Sequence, residues 1–79
     1  MRAILNIFGT RWELPRHDAS EEPASLADSM GYAEFEGSKT LHRCEFRNGR
    51  WVDYWREPFD RPVVAWHSVA GMKVVDEQA

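Results

Sequence analysis

Asn48-Gly49, set between two runs that read as strands, constrains this chain more than any other pair of residues. A two-residue hairpin of type I′ needs positive φ at both central positions, which Asn and Gly accept with little strain. Gly37-Ser38 offers a second two-residue turn, with glycine at the strained first position. Together the two turns predict one register. Across the later turn Arg47 faces Arg50, Phe46 faces Trp51, Cys44 faces Asp53 and His42 faces Trp55. Across the earlier one Glu36 faces Lys39, Phe35 faces Thr40 and Ala33 faces His42.

Side chains alternate between the two faces of a strand, so this register sorts them into two sets. Ala33, Phe35, Thr40, His42, Cys44, Phe46, Trp51, Asp53 and Trp55 fall on one face, which is expected to be the core. The opposite face carries Glu34, Glu36, Glu45, Arg43, Arg47, Arg50 and Arg56, with a row of Tyr32, Arg43 and Tyr54. A slip of one residue would bury the bases, which fixes the alignment.

Elsewhere the signals are coarser. Arg2 to Phe8 reads as an internal strand ending at Gly9, and Pro15 makes Thr10 to Asp18 read as irregular. Ser20 is placed to cap a helix, with Glu21, Glu22 and Pro23 in its first turn. Leu26 and Met30 share one helical face, and Gly31 suits the left-handed position that ends a helix. Pro58 and Pro62 punctuate a loop before strands at Val63–Val69 and Met72–Val75. The expected fold is a single α+β domain over residues 1–79: an antiparallel sheet of five to six strands with one short helix packed on one face.

A chain of 79 residues buries roughly 63% of its extended surface, enough for a cooperative core and too little for a deep active site beside it. One cysteine excludes an intrachain disulfide framework and leads us to expect a reducing, cytoplasmic setting. The longest run without an Asp, Glu, Lys or Arg is Pro62 to Met72, too short to span a bilayer, so no membrane partner is expected. Net charge is −3 and unevenly spread. Residues 13–38 hold seven acids against one arginine, and residues 39–56 hold five bases against two acids.

His42, Cys44 and Asp53 supply the parts of a thiol nucleophile with base and orienter. Reactive cysteines, however, sit in cationic and partly exposed places, and a carboxylate opposite Cys44 raises its pKa. The expected role of Cys44 is structural, with Asp53 partnered by His42 or a backbone amide, and the chain reads as no enzyme. His17, His42 and His67 lack metal-ligand spacing, and the five glycines stand singly at element ends rather than in a phosphate loop. Neither metal nor cofactor is expected.

Two binding readings remain. The Tyr54/Arg43 face, with Arg47, Arg50 and Arg56, has the make-up of a platform for a single-stranded nucleic acid, but interleaved acids and a net negative charge make direct nucleic-acid binding the alternative. Protein recognition is the leading reading. Four tryptophans are many for so small a core, and exposed Trp, Tyr and Arg make interface hot spots. Trp12 is the expected anchor, and Glu21, Glu22, Asp28, Glu34 and Glu36 are expected to meet a basic partner surface. An edge strand at Val63–Val69 or Met72–Val75 would support a homodimer.

In size and acidity, in the run Asp18-Ala19-Ser20-Glu21-Glu22 and in the short Asn48-Gly49 hairpin, the chain resembles small α+β proteins encoded by phages and other mobile elements, anti-CRISPR proteins among them. The resemblance implies a non-enzymatic inhibitor or adaptor. Such a protein occupies the nucleic-acid-binding surface of a host protein or nucleoprotein complex.

Overall fold

The computed structural model describes residues 1–53 and 61–75. Trp55, Tyr54, Arg56 and Pro58, and with them the expected His42/Trp55 pair, lie outside the described residues. The Asn48-Gly49 turn forms with φ +54° and +82°, and aligns β5 (His42–Arg47) with β6 (Arg50–Asp53). Cys44 faces Asp53, Phe46 faces Trp51 and Arg47 faces Arg50, as the turn chemistry requires. Ala33 faces His42 across β4 (Met30–Phe35) and β5, so the earlier register holds too. Its turn differs in detail. The Ser38 amide donates to the Phe35 carbonyl, which puts Glu36-Gly37 at the centre, and Ser38 and Thr40 then bond each other instead of extending the ladder. The expected Glu36/Lys39 and Phe35/Thr40 pairs are not part of the β4–β5 ladder.

These strands belong to an antiparallel sheet of order β3-β7-β4-β5-β6, with β3 at Arg16–Asp18 and β7 at Val63–Ser68. Ala33, Cys44, Trp51 and Trp66 form its core face, with Phe46 and Val63 packed against them. Trp51 and Trp66 meet at 5.2 Å between ring centroids, and His17 stacks on Trp66 at 4.1 Å. The face expected to be core is core.

No α-helix covers it among the described residues, and the α+β expectation is overturned: the described residues build two antiparallel sheets. The segment expected to be helical contains one 3-10 turn, Ala27–Ser29. Its side chains hold the backbone in other shapes, which is how Ser and Asp compete with a helix. The Asp28 amide donates to Ser25 Oγ, and Ser29 Oγ donates to the Leu26 carbonyl. Leu26, half of the proposed apolar stripe, is 81% exposed, and Met30 opens β4 instead. A helix of about ten residues with no buried face has nothing to hold it. The segment still lies over the core face, where Trp66 Nε1 donates to the Glu21 carbonyl and Ser68 Oγ to Asp28 Oδ1.

Gly31 is a strand residue, not a helix terminator. A Cβ there would lie 1.9 Å from the His67 carbonyl oxygen, so glycine is what lets β4 and β7 approach. Val63–Ser68 lies between β3 and β4, and is not the sheet edge expected to make a dimer.

The second sheet joins the two expected strands at Arg2–Phe8 and Met72–Val75 through a strand in the stretch expected to be irregular. β1 (Ala3–Ile7) and β2 (Thr10–Leu14) form a hairpin, and β8 (Lys73–Val74) pairs with β2. β1 is an edge strand, not an internal one. Pro15 alone separates β2 from β3 and carries the chain from one sheet into the other, its carbonyl accepting from the Ser68 amide.

Candidate functional site

The β1–β2 hairpin turns at Phe8-Gly9, with φ +50° and +86°. Those are the signs of the same turn type as Asn48-Gly49, with a bulky aromatic where Asn stands in the other hairpin. Positive φ at a bulky residue is an outlier, because its Cβ crowds the following carbonyl. The Asn6 side chain supports the turn by accepting from the Gly9 amide at 3.0 Å. Along the hairpin, Ala3/Leu14, Leu5/Trp12 and Ile7/Thr10 face one another on one side. Ala3 and Leu14 are buried at the base, Leu5 and Trp12 are half-buried, and Ile7 and Thr10 are exposed. Phe8, at the tip, is fully exposed at 104%. The hairpin therefore projects, with its apolar face uncovered toward the end.

On the larger sheet, the face opposite Trp66 holds a charge cluster. The β3–β7–β4 registers place Arg16 beside His67 and Asp18 beside Ala65, with Glu34 next to Ala65 on the far side. Glu34 Oε2 accepts from Arg16 Nε at 2.8 Å and lies 2.8 Å from His67 Nε2, while the Met1 amine stands 3.8 Å from Oε1. Burial pushes the Glu34 carboxyl up. The hydrogen bonds from Arg16 and His67, with the charges of Arg16 and the amine, outweigh burial and hold it below its ordinary value.

The six residues expected to bind a partner are not gathered on one surface. Glu34 is buried in this cluster, and Asp28 is bonded to Ser68 and Ser25. Glu21 sits 2.9 Å from His17 Nδ1. Glu22 is exposed and borders a hollow it shares with Arg50 and Arg61, so its surroundings are mixed in sign. Glu36 is exposed beyond the end of β4, and Trp12 is half-buried on β2, opposite Leu5 and Val74. On the basic and aromatic face, Arg43 and Arg47 are matched within the chain. Arg43 lies over the Tyr32 ring at 5.5 Å, and Arg47 bonds Glu45 at 2.6 Å.

The thiol constellation holds Cys44 in its protonated form. Burial first, and the Asp53 charge after it, push Cys44 up to about 12 against the opposing pull of Arg43. His42 Nδ1 lies 3.6 Å from Asp53 Oδ2, the partner expected for that carboxylate.

Sequence reasoning missed Phe8 and the joining of Arg16, Glu34 and His67. A signal for the hairpin exists: Leu5/Trp12 and Ala3/Leu14 are spaced symmetrically about Phe8-Gly9. The ion cluster has no such signature, since its members come from three strands far apart in sequence. Set against protein-family models, curated proteins and solved structures, the chain matches none.

Proposed function

We propose that this chain is a protein-recognition module, an inhibitor or adaptor, that docks through the tip of the β1–β2 hairpin with Phe8 as its anchor. The observation that carries this reading is a fully exposed aromatic held in a left-handed backbone conformation. Backbone strain at an exposed side chain that packs on nothing does not serve the fold, and such strain concentrates at binding sites. Buried aromatic anchors dominate interface energetics, and the complementary surface is an apolar pocket on the partner. Ile7 and the half-buried Trp12 extend the apolar contact from the tip toward the base. The exposed acids Glu21 and Glu22 stand past the other end of the β2–β3 run, outside such a contact.

The test compares capture of partners from a candidate host lysate by the wild type, by Phe8→Asn and by the double variant Glu21→Lys/Glu22→Lys. A partner lost with Phe8→Asn and kept with the charge reversal is the expected result. A partner lost only on charge reversal would put the interface on the acidic segment instead.

A further inference from the structure

We infer that the cleft between the two sheets binds the anionic head of a small organic molecule, a carboxylate or phosphate. The cleft has a volume of about 340 Å³, room for a small ligand rather than a lone ion. Arg2, Arg16 and Lys73 line it, and Glu13 is the one carboxylate among its lining residues. Glu13 is taken up by Arg2 in a two-pronged pair, Nε to Oε2 at 2.7 Å and Nη2 to Oε1 at 2.9 Å. Glu34, behind the wall, holds Arg16 through Nε, and Asp18 accepts from its Nη1 at 3.5 Å. A guanidinium has five N–H donors, so both arginines keep donors for a ligand after these bonds. Lys73 stands opposite Glu13 in the β2–β8 register, yet among the described residues it makes no ion pair with it. With the Met1 amine, four cationic groups stand against the carboxylates of Glu13, Glu34 and Asp18 around the cleft, and the Lys73 ammonium has no ion-pair partner among the described residues.

His67 supplies an independent observation. Its side chain is fully buried and it lines the same cleft, with Nε2 held by Glu34. Nδ1 has no hydrogen-bond partner among the described residues. Leaving a buried polar atom unmatched is costly, and buried polar atoms in native proteins are almost always bonded. Nδ1 has almost no exposed surface, so a ligand atom bonds it only if the cleft wall gives way beside the ring; an imidazole nitrogen so reached donates to an oxyanion when protonated or accepts from a hydroxyl when neutral. Leu14 and Pro15 give the cleft an apolar wall beside the cations. That combination, a few directed polar groups against apolar surface, is how small-molecule sites fix orientation.

The experiment titrates inorganic phosphate, acetate and benzoate into the full chain at constant ionic strength, following the amide resonances of His67 and Gly71. At least one oxyanion is expected to give saturable shifts that sodium chloride does not reproduce. Binding weakens about tenfold in Lys73→Gln, the loss of one charge-assisted contact. Arg2→Gln, a second exposed change, weakens it in the same direction. Tighter binding of benzoate than acetate assigns the apolar wall to the ligand body; tighter binding of phosphate assigns the site to a phosphate head. Absence of saturable shifts with all three anions overturns the inference, as does saturation that neither variant alters.

Discussion

His67 and Glu34 face each other at 2.8 Å, imidazole Nε2 to carboxylate Oε2, on the side of the large sheet away from the tryptophans. The pair is buried, and Arg16 closes it from the sheet edge. Removing the charge of Glu34 leaves Arg16 with Asp18 at 3.5 Å alone, and because Arg16 is half exposed the loss lies between that of a surface pair and a buried one, about 1–2 kcal/mol. Glu34→Gln is expected to lower the free energy of unfolding by that amount at neutral pH, read from urea denaturation.

The same carboxylate sets a pH dependence. Its folded-state value is depressed below the ordinary 4.5. Its stabilisation is therefore complete above pH 4.5 and is lost as pH falls through the folded value. Urea midpoints measured down this acid range are expected to fall more steeply for the wild type than for Glu34→Gln.

How much of this was legible in the sequence depends on the range of the interaction. Asn48-Gly49 announced its hairpin because both residues accept positive φ, and the pairs from Cys44/Asp53 to Arg47/Arg50 followed from it, as Ala33/His42 followed from the Gly37-Ser38 turn. Phe8-Gly9 makes a turn of the same kind, but phenylalanine carries no turn propensity, so β1 looked internal and β2 irregular. The helix was inferred from Ser20, Glu21 and Gly31, each a local sign. Gly31 answers instead to the His67 backbone on a distant strand. The acidic block read as one surface because charge is additive along a sequence; folding sent Glu34 inward and left Glu22 beside Arg50 and Arg61.

Gly31→Ala tests the close approach of β4 and β7. The new methyl meets backbone, at 1.9 Å from the His67 oxygen and 2.9 Å from its carbon, and backbone cannot swing aside. The expected loss is about 3 kcal/mol or more, the upper range for overpacking. Gly49→Ala, where a methyl meets nothing within 4 Å but φ is +82°, is expected to cost only about 1 kcal/mol. Equal losses in the two variants would contradict the packing account.

Cys44 is expected to resist alkylation in the native state. Its thiol lies near 12 against an ordinary 9.0, which cuts the thiolate fraction about a thousandfold before burial hinders access. Iodoacetamide at pH 8 should label it at the free-thiol rate only after unfolding. Rapid labelling of the folded chain would restore a chemical role for the His42, Cys44 and Asp53 group.

The central claim is that Phe8 is kept for what it touches outside the chain. Thermal unfolding of Phe8→Asn against the wild type measures this most directly, because Asn accepts the +50° φ that strains Phe8. The variant is expected to be more stable by about 1 kcal/mol, the strain recovered at one left-handed residue, because the fully exposed Phe8 ring contributes no packing to the fold. A variant clearly less stable than the wild type would contradict the account, since Phe8 would then be holding the fold together.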